Sequence, residues 1–306
     1  MIHYIEHKHI DKKKWDTCIQ TSTSPSVFVH SWYLDVVCPN WSALILNDYE
    51  AVFPLASNSK LSIHYLYQPL FTRYLGAYSK TTITENLICD FFDAIPKQFK
   101  YIEFSIHENC IFNCTDFEKK ERLFQTLSLK QSYNDLLDSF KGDAKRNIKK
   151  AEKHQLVITE NVQPKDVVDL FKNNKGKELT GLNKEDYSTL ENLMIVALKN
   201  NSGIVLGIQN HEKKLIAAGF FIKSKTEILF LKGSADAEGK SVGAMYLLLN
   251  YIFKNYSQKF EKFDFGGSSV ETVASFNRNF GAKDSVYLQV KRNRLPLLIR
   301  LMSGKK

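Results

Sequence analysis

The sequence predicts an α/β (α+β) fold of two consecutive domains, each with a mixed, mainly antiparallel sheet flanked by helices. The 306 residues are enough for two domains of ordinary size. The composition, 43% hydrophobic and 25% charged, is typical of globular proteins and excludes collagen-like, low-complexity and disordered chains. The third observation is the order of elements, because the second half of the chain repeats, more clearly, the order of the first half.

The first half combines short strands with three helices. Pro39 ends the second helix because its ring cannot continue a helical turn. Asn47-Asp48 lies between two apolar runs and predicts a hairpin turn. The predicted elements are strands at 2–6, 41–46, 49–56, 61–66 and 101–105, helices at 11–19, 30–37 and 84–95, and an extended run at 122–129.

The second half contains a long amphipathic helix, whose apolar positions run from Val242 to Tyr256 at helical spacing. A polar, glycine-rich turn at 233–239 precedes it, and Gly281 is predicted to cap a later helix. The predicted elements are helices at 133–140, 142–154, 164–174, 184–199 and 270–279, and strands at 156–160, 202–209, 215–223, 227–231, 262–265 and 285–291.

The predicted domains cover 1–135, joined by a return segment at 292–306, and 136–291. The tail at 295–302 is apolar with basic flanks. Packing against the first domain is one interpretation of this tail, and contact with an anionic membrane surface is another. No apolar run reaches the ~18 residues that would span a bilayer.

The formal charge of +9 is concentrated in two stretches. The stretch 291–306 has basic residues and no acid, and 141–154 has six basic residues against two acidic ones, which leaves the remainder close to neutral. This distribution favours local patches that bind an anionic small molecule over a chain coated with positive charge. A solvated helix face is the structural alternative. The residues on one face of the helix at 142–154 are Arg146, Lys149, Lys150 and Lys153.

The five cysteines form an odd number, and residues 1–8 lack the apolar core of a signal peptide. Both observations favour reduced thiols and a cytoplasmic protein. Cys110 and Cys114 are spaced C-x3-C, but no second pair follows at zinc-like spacing, so no metal site is predicted.

Two segments of the second half resemble the FemAB-like (FemABX) transferases. Asp264-Phe265-Gly266-Gly267, followed by Phe276-Asn277-Arg278-Asn279-Phe280-Gly281, resembles that family's closing D-F-G-G and F-K-x-x-F-G signature. The basic helix at 143–153 is similar to the family's R-x-x-I-R-K-A-x-K helix. The resemblance covers about 130–290, and extends more loosely to 26–32 and 68–76.

The resemblance implies two tandem GNAT-like domains. It also implies transfer of an acyl or aminoacyl group to an amine of a small molecule or a cell-envelope precursor. The donor would be acyl-CoA or aminoacyl-tRNA. A precursor linked to the membrane would bring the protein into peripheral contact with that surface.

The catalytic residues implied by the motifs are Asp264, Asn277 and Arg278. Asp264 would orient the amine or accept its proton, with a strand-end carboxylate that binds backbone amides as the structural alternative. Asn277 stands where tRNA-dependent members have a lysine thought to stabilise charge in the transition state. Either Arg278 substitutes for that lysine, or the reaction is not the tRNA-dependent one.

The donor is expected to bind at the glycine-rich turn and at the D-F-G-G segment. Glycines let a ligand approach the backbone, and a helix N-terminus favours an anion. A plain turn is the structural alternative. The predicted donor-binding residues are Lys232, Ser234, Lys240, Gly243, Ala244, Gly266, Gly267 and Ser268. The acceptor is expected in a cleft between the domains, and its predicted residues are Tyr67, Gln68, Arg73, Arg146 and Lys149.

Two other functions remain open at this stage. A non-catalytic module derived from this fold would recognise a nucleotide- or lipid-linked glycan, and Asn277 at the lysine position motivates it. A nucleic-acid-binding protein is the third possibility, and the near-neutral remainder of the chain argues against it.

Overall fold

The computed structural model describes residues 1–107, 110, 112–114, 116–178, 181–267, 270–296 and 299–300. The chain divides into two compact units: unit 1 is Met1–Arg122 with Val286–Lys306, and unit 2 is Leu123–Ser285. Both divisions lie earlier in the chain than the predicted ones after residues 135 and 291. The reason is that two long strands, β8 (Glu118–Ser128) and β14 (Lys283–Asn293), each contain one of the divisions.

Unit 1 contains two sheets. The strand order is β1-β2-β3-β6 in the first and β4-β5-β7-β14 in the second. Local sequence explains the helix starts, because Asp11 and Thr84 accept hydrogen bonds from amides in the first turns of α1 and α3. The elements are β1 (Ile2–Ile5), α1 (Lys12–Gln20), α2 (Ser31–Val37), β2 (Ser42–Leu46), β3 (Ala51–Leu55), β4 (Ser57–Lys60), β5 (Ile63–Tyr67), β6 (Tyr78–Ser79), α3 (Glu85–Asp93) and β7 (Phe99–Ile106).

The hairpins of unit 1 confirm one prediction and correct another. β2 and β3 pair antiparallel around the predicted turn, in which Asn47 has a left-handed φ of 48°. The strand predicted at 61–66 is instead half of a hairpin of β4 and β5. Leu61 and Ser62 form its turn, with φ of 51° and 60°. β4 was missed because its Ser-Asn-Ser-Lys sequence has no apolar alternation.

The prediction of reduced thiols is wrong for two cysteines. Cys89 on α3 forms a disulfide with Cys114, with their Cα atoms 5.8 Å apart. Cys18, Cys38 and Cys110 are buried thiols outside this disulfide. An odd cysteine count does not exclude a bridge, and only the packing of α3 brings the side chains of Cys89 and Cys114 together.

Unit 2 is a six-stranded arrangement in the order β8-β13-β12-β11-β10-β9. Its neighbours pair antiparallel, except that β12 and β13 are parallel. The elements are α4 (Tyr133–Ser139), α5 (Gly142–Lys153), β9 (Val157–Thr159), α6 (Pro164–Asn173), α7 (Lys184–Lys199), β10 (Gly203–Gln209), β11 (Leu215–Lys223), β12 (Glu227–Ala235), α8 (Ala237–Val242), α9 (Ala244–Tyr256), β13 (Lys262–Asp264) and α10 (Glu271–Arg278).

The polar turn predicted at 233–239 is wrong, because β12 continues to Ala235 and α8 begins at Ala237. The glycines serve close packing. A Cβ at Gly233 would overlap the ring of Phe230, and one at Gly239 would overlap the carbonyl oxygen of Ile216. The single long helix is also divided, since Gly243 adopts a left-handed φ of 77° between α8 and α9.

The core of unit 2 lies between the sheet and helices α5 and α9. Leu248, Ile252 and Phe253 on α9 are fully buried with Phe263 of β13. α5 contributes Ala144, Ile148 and Ala151 and therefore turns its basic side chains outward. Within the described ranges, no helix combines the length and apolarity needed to cross a membrane.

Candidate functional site

Two parallel strands of unit 2 separate at their carboxyl ends. β12 and β13 pair at three positions, of which the last is Leu229 with Asp264. β12 then continues for six residues along β11. On the other strand, the amide of Phe265 donates to the carbonyl of Gln125, 3.1 Å away, and so follows β8. In the described part of the chain, β12 beyond Leu229 is therefore not hydrogen-bonded to β13.

A β-bulge lies where the strands separate. Phe221 pairs with Phe230 and Phe220 pairs with Lys232, so Leu231 is an extra residue on β12. Bulges bend a strand and increase its twist. Across the opening, Gly266 and Gly267 have φ of 85° and 75°. A Cβ at Gly266 would overlap the carbonyl oxygen of Phe230, so the glycine is required by the protein's own backbone and by a turn of positive φ. The predicted approach of a ligand to this backbone stays a prediction.

Asp264 lies at the base of the opening but is 1% exposed. Its Oδ1 accepts a hydrogen bond from the amide of Gly266 at 2.9 Å. This geometry holds the turn that starts the D-F-G-G segment. The structure therefore places Asp264 as a buried group that shapes the site, and its catalytic role stays a prediction.

Lys232 and Ser234 lie two residues apart on the open part of β12. Lys232 Nζ is 4.6 Å from the ring centroid of Phe171 on α6, and burial lowers its pKa to about 8. Ser234 is 6% exposed, and its Oγ has no hydrogen-bond partner in the described structure. Both residues were predicted to contact the donor. They follow Phe230 on the part of β12 that lies beyond its last pair with β13, and their contact with the donor stays a prediction.

Asn277 and Arg278 belong to a polar network on one side of unit 2. Asn277 is 2% exposed, and its Nδ2 donates to Gln125 Oε1 at 3.1 Å. Gln125 Nε2 in turn donates to Asp284 at 3.0 Å. The guanidinium of Arg278 is paired with both Asp284 and Glu271, at 2.9 and 2.8 Å. Arg278 therefore has two carboxylate partners, and its substitution for the family lysine stays a prediction.

The predicted anion site before α8 is occupied by the chain itself. Asp236 accepts from the amide of Gly239 at 2.8 Å and caps this helix. Lys214 pairs with Asp236 and Glu238, at 2.9 and 3.1 Å. An incoming phosphate would meet two carboxylates here, so this part of the predicted donor site is corrected. Lys240 is exposed on α8.

The next helix start lies beside the basic helix. A Cβ at Gly243 would lie 2.8 Å from the carbonyl oxygen of Asn147 on α5, so the first turn of α9 contacts α5 directly. Ala244, the first residue of α9, is fully buried. Arg146 and Lys149 are exposed on α5, and Arg146 pairs with Asp143.

The other predicted acceptor residues belong to unit 1. Gln68 Oε1 accepts from the amide of Ser105 at 2.7 Å, and its Nε2 donates to the carbonyl of Thr72 at 2.9 Å. Arg73 is 7% exposed, with its guanidinium carbon 4.8 Å from the ring centroid of Tyr74. Burial raises the pKa of Tyr67, at the end of β5.

The structure brings Asp264 and Gly266 into direct contact and places Gly266 against the backbone of Phe230, on the strand that also carries Lys232 and Ser234. The roles predicted for these residues and for Gly267 stay predictions. Ser268 lies outside the described residues. Sequence reasoning missed the bulge at Leu231, the cap formed by Asp236 and the buried Gln125. The spacing of Asp236 before Gly239 is an N-cap signal that could have been found, whereas a bulge leaves no such pattern.

A cavity of about 610 Å³ lies elsewhere in unit 2, at the amino ends of β12 and β13. Its charged side chains are largely paired with each other, Lys262 with Glu227 at 2.7 Å and Lys130 with Glu261 at 2.8 Å. The opening at the carboxyl ends combines the edge of β12 with the amine of Lys232, whose pKa is lowered by burial. It is therefore the stronger candidate for the functional site.

Three solved structures are similar to this chain over nearly their whole lengths. A crystal structure of FemX matches 99% of this chain and 100% of its own, with a TM-score of 0.72 and 11% identity. The C-terminal domain of a putative lysylphosphatidylglycerol synthetase from Agrobacterium fabrum matches 96% of this chain and 95% of its own, with a TM-score of 0.60 and 12% identity. A tandem GNAT protein from the clavulanic acid biosynthesis pathway matches 97% of this chain and 99% of its own, with a TM-score of 0.55 and 10% identity.

The chain has the FemX-like tandem GNAT fold. This confirms the predicted fold class and the fold that the D-F-G-G segment implied. Identities of 10–12% establish the fold alone, so activity must be argued from the residues of the site. No protein-family profile and no curated protein matches the sequence.

Proposed function

We propose that this protein is an acyl- or aminoacyltransferase that transfers its group to an amine. The observation that carries this proposal is the separation of β12 and β13 after Leu229 and Asp264. A strand edge offers unpaired N–H and C=O groups to an extended ligand. Acyl transfer requires the donor carbonyl to be fixed close to hydrogen-bond donors that stabilise the developing oxyanion.

The donor arm would lie along the edge of β12, with its carbonyl near the bulge at Leu231. Gly266 and Gly267 allow the arm to approach the backbone because they carry no Cβ. The acceptor amine would then attack the carbonyl as a free base, and the thiol or the tRNA hydroxyl would leave. Direct attack requires no covalent enzyme intermediate.

Both candidate donors, acyl-CoA and aminoacyl-tRNA, carry phosphates. Gly243 supports an anion site at the start of α9, since it places the first turn of that helix against α5. Lys149 and Arg146 of α5 are exposed near Asn147, whose carbonyl contacts Gly243. The dipole of α9 and the nearby cations together favour a phosphate.

The test is transfer by the purified full chain. Acetyl-CoA and a mixture of aminoacyl-tRNAs serve as donors, with amino sugars and short peptides as acceptors, and mass spectrometry detects the product. We expect Gly267→Trp to lose at least about 100-fold in rate, because the indole fills the opening. Gly142→Ala, at the exposed start of α5, is the matched control. Wild-type turnover in Gly267→Trp, with its fold verified by circular dichroism, would exclude this site.

The second candidate is a binding module without turnover. Asn277 favours it, because the position of the family lysine holds a buried amide bonded to Gln125. Native mass spectrometry that shows a retained nucleotide, together with no product from any donor, would support this candidate over the transferase.

A further inference from the structure

Gln125 is a fully buried glutamine on β8. Its backbone carbonyl accepts a hydrogen bond from the amide of Phe265 at 3.1 Å, directly beside the pair of Thr126 with Asp264. This bond attaches the D-F-G-G segment to β8 just beyond the last pair of β13 with β12. The backbone of Gln125 therefore holds the start of the turn in which Asp264 accepts from the amide of Gly266.

The side chain of Gln125 reaches the end of α10, in the second signature segment at 276–281. Its Oε1 accepts from Asn277 Nδ2 at 3.1 Å, and its Nε2 donates to Asp284 at 3.0 Å. Hydrogen bonds from Arg278 lower the pKa of Asp284, so this carboxyl group is ionised at neutral pH. Because a carboxylate only accepts hydrogen bonds, Asp284 sets the orientation of the carboxamide. One residue outside both signature segments thus contacts the two of them.

Apolar packing joins the same two segments, but it does not fix their relative position as closely. The rings of Phe265 and Phe280 lie 6.2 Å apart, and both pack on Phe253 of α9, at 6.1 and 5.4 Å. Such contacts are non-directional and tolerate small shifts. A buried carboxamide costs free energy unless its hydrogen bonds are made, so the bonds of Gln125 to Asn277 and Asp284 favour a single arrangement.

We propose that Gln125 is a positioning residue that holds the turn at Gly266 and the end of α10 in one fixed arrangement. This rests on the proposed transferase function, in which the donor arm approaches the backbone at that turn. A displacement of about 1 Å between a substrate and the groups that stabilise it can cost about 100-fold in rate. Gln125 does not touch the substrate in this proposal, and acts through Phe265 and Asn277.

The first experiment compares transfer by the wild type and Gln125→Met, using whichever donor gives product. Methionine has a similar volume but makes neither hydrogen bond. We expect kcat to fall about 30-fold, with the donor KM within about threefold. Gln289→Met on β14 is the matched control, because Gln289 Oε1 accepts from Arg122 at 2.6 Å and its Nε2 donates to Glu103 at 3.0 Å. Its kcat should stay within about twofold of wild type. A Gln125→Met variant with the wild-type kcat would overturn the proposal.

Gln125→Glu provides a rescue that depends on the hydrogen bonds and not on side-chain volume. When ionised, the new carboxylate accepts from Asn277 but has no proton to donate to Asp284. Burial and the charge of Asp284 raise the pKa of the new group, and its protonated form restores the donation. The other charged groups of the network, Arg278 and Glu271, remain paired with each other. Relative to wild type, kcat should be about 30-fold lower at pH 8.5 and within about threefold at pH 6. An equal loss at both pH values would count against the proposal.

A further measurement needs no substrate. Hydrogen exchange of the backbone amides of Phe265 and Gly266, followed by NMR, should be at least about 10-fold faster in Gln125→Met than in the wild type. Exchange in β10 and β11 should be unchanged, which verifies that the variant is folded. Unchanged exchange at Phe265 and Gly266 would overturn the positioning role. Failure of the wild type to transfer from any donor would overturn the transferase function, whereas the exchange result decides separately whether Gln125 holds the two segments.

Discussion

Each unit contains one pair of adjacent parallel strands, and the two pairs end differently. In unit 1, β5 and β7 pair as far as Tyr67 and Glu103. The chain then fills its own gap: Gln68 accepts from the amide of Ser105, and the amide of Leu75 donates to the carbonyl of Ser105 at 2.7 Å. In unit 2, β12 and β13 separate after their last pair, and the described chain forms no such bridge.

The comparison shows what makes a strand gap a site. Parallel strands of the same fold end beside unpaired backbone groups in both units, and these groups need partners. In unit 1 the carboxamide of Gln68 and the amide of Leu75 are these partners, so the segment at 68–76 completes the hydrogen bonding at the end of the strands. In unit 2 no described residue of β13 pairs with the edge of β12 beyond Leu229. The acceptor role predicted for Gln68 and Arg73 stays a prediction.

The largest expected effect is that of closing the open gap. Gly266→Val places a side chain against the carbonyl of Phe230 and a β-branched residue at φ 85°. We expect the free energy of unfolding to fall by about 3 kcal/mol, from left-handed strain and overpacking, and transfer to be lost. Urea denaturation measures the stability, with Gly142→Ala as control. A Gly266→Val protein of wild-type stability would show that this contact does not shape the gap.

Removing the buried amine at the gap should stabilise the fold. Lys232 has a folded pKa of about 8, below its unfolded value, so the unfolded chain binds more protons between pH 8 and 10.5. Wild-type stability should therefore rise with pH across that window. Lys232→Met should be more stable by about 2 kcal/mol at pH 7, and the advantage should vanish near pH 10.5. Denaturation at several pH values checks this, and a constant difference would contradict the buried state of Lys232.

Opening the filled gap of unit 1 is expected to cost less. Gln68→Ala leaves the amide of Ser105 without its side-chain acceptor, so the free energy of unfolding should fall by about 1–2 kcal/mol. Transfer at β12 should remain within about twofold of wild type if Gln68 acts only within unit 1. The exposed Gln131→Ala is the control. A large fall in the transfer rate without a change in stability would instead support the predicted role of Gln68 in acceptor binding.

The smallest effect is expected at the basic helix beside α9. Lys149→Gln should weaken donor binding about two- to threefold at low salt, because a single exposed cation contributes little. The difference should disappear in 0.5 M salt if the contact is electrostatic. Calorimetric titration with the active donor measures it, and Lys199→Gln on α7 is the control. An unchanged affinity at low salt would exclude Lys149 from the phosphate site.

Local sequence was a good guide where structure depends on neighbours in the chain. The helices predicted at 11–19 and 84–95 and the hairpin turn at Asn47 are present, and so is the basic face predicted on α5. The D-F-G-G segment indicated the fold. The same local reasoning misread Gly233 and Gly239 as a turn, because glycine is required there by the ring of Phe230 on the same strand and by the carbonyl oxygen of Ile216 on β11.

What the sequence by itself determined, then, is the fold class and most of the elements, whereas the segment predicted to bind a donor stays a prediction. The tertiary structure decided how the two strand gaps end, the packing of Lys232 against Phe171, the hydrogen bond between Asn277 and Gln125 and the disulfide between Cys89 and Cys114. Each of these depends on contacts between residues far apart in the chain. A pKa, an ion pair or an unpaired strand edge is a property of such contacts, and no local pattern specifies them.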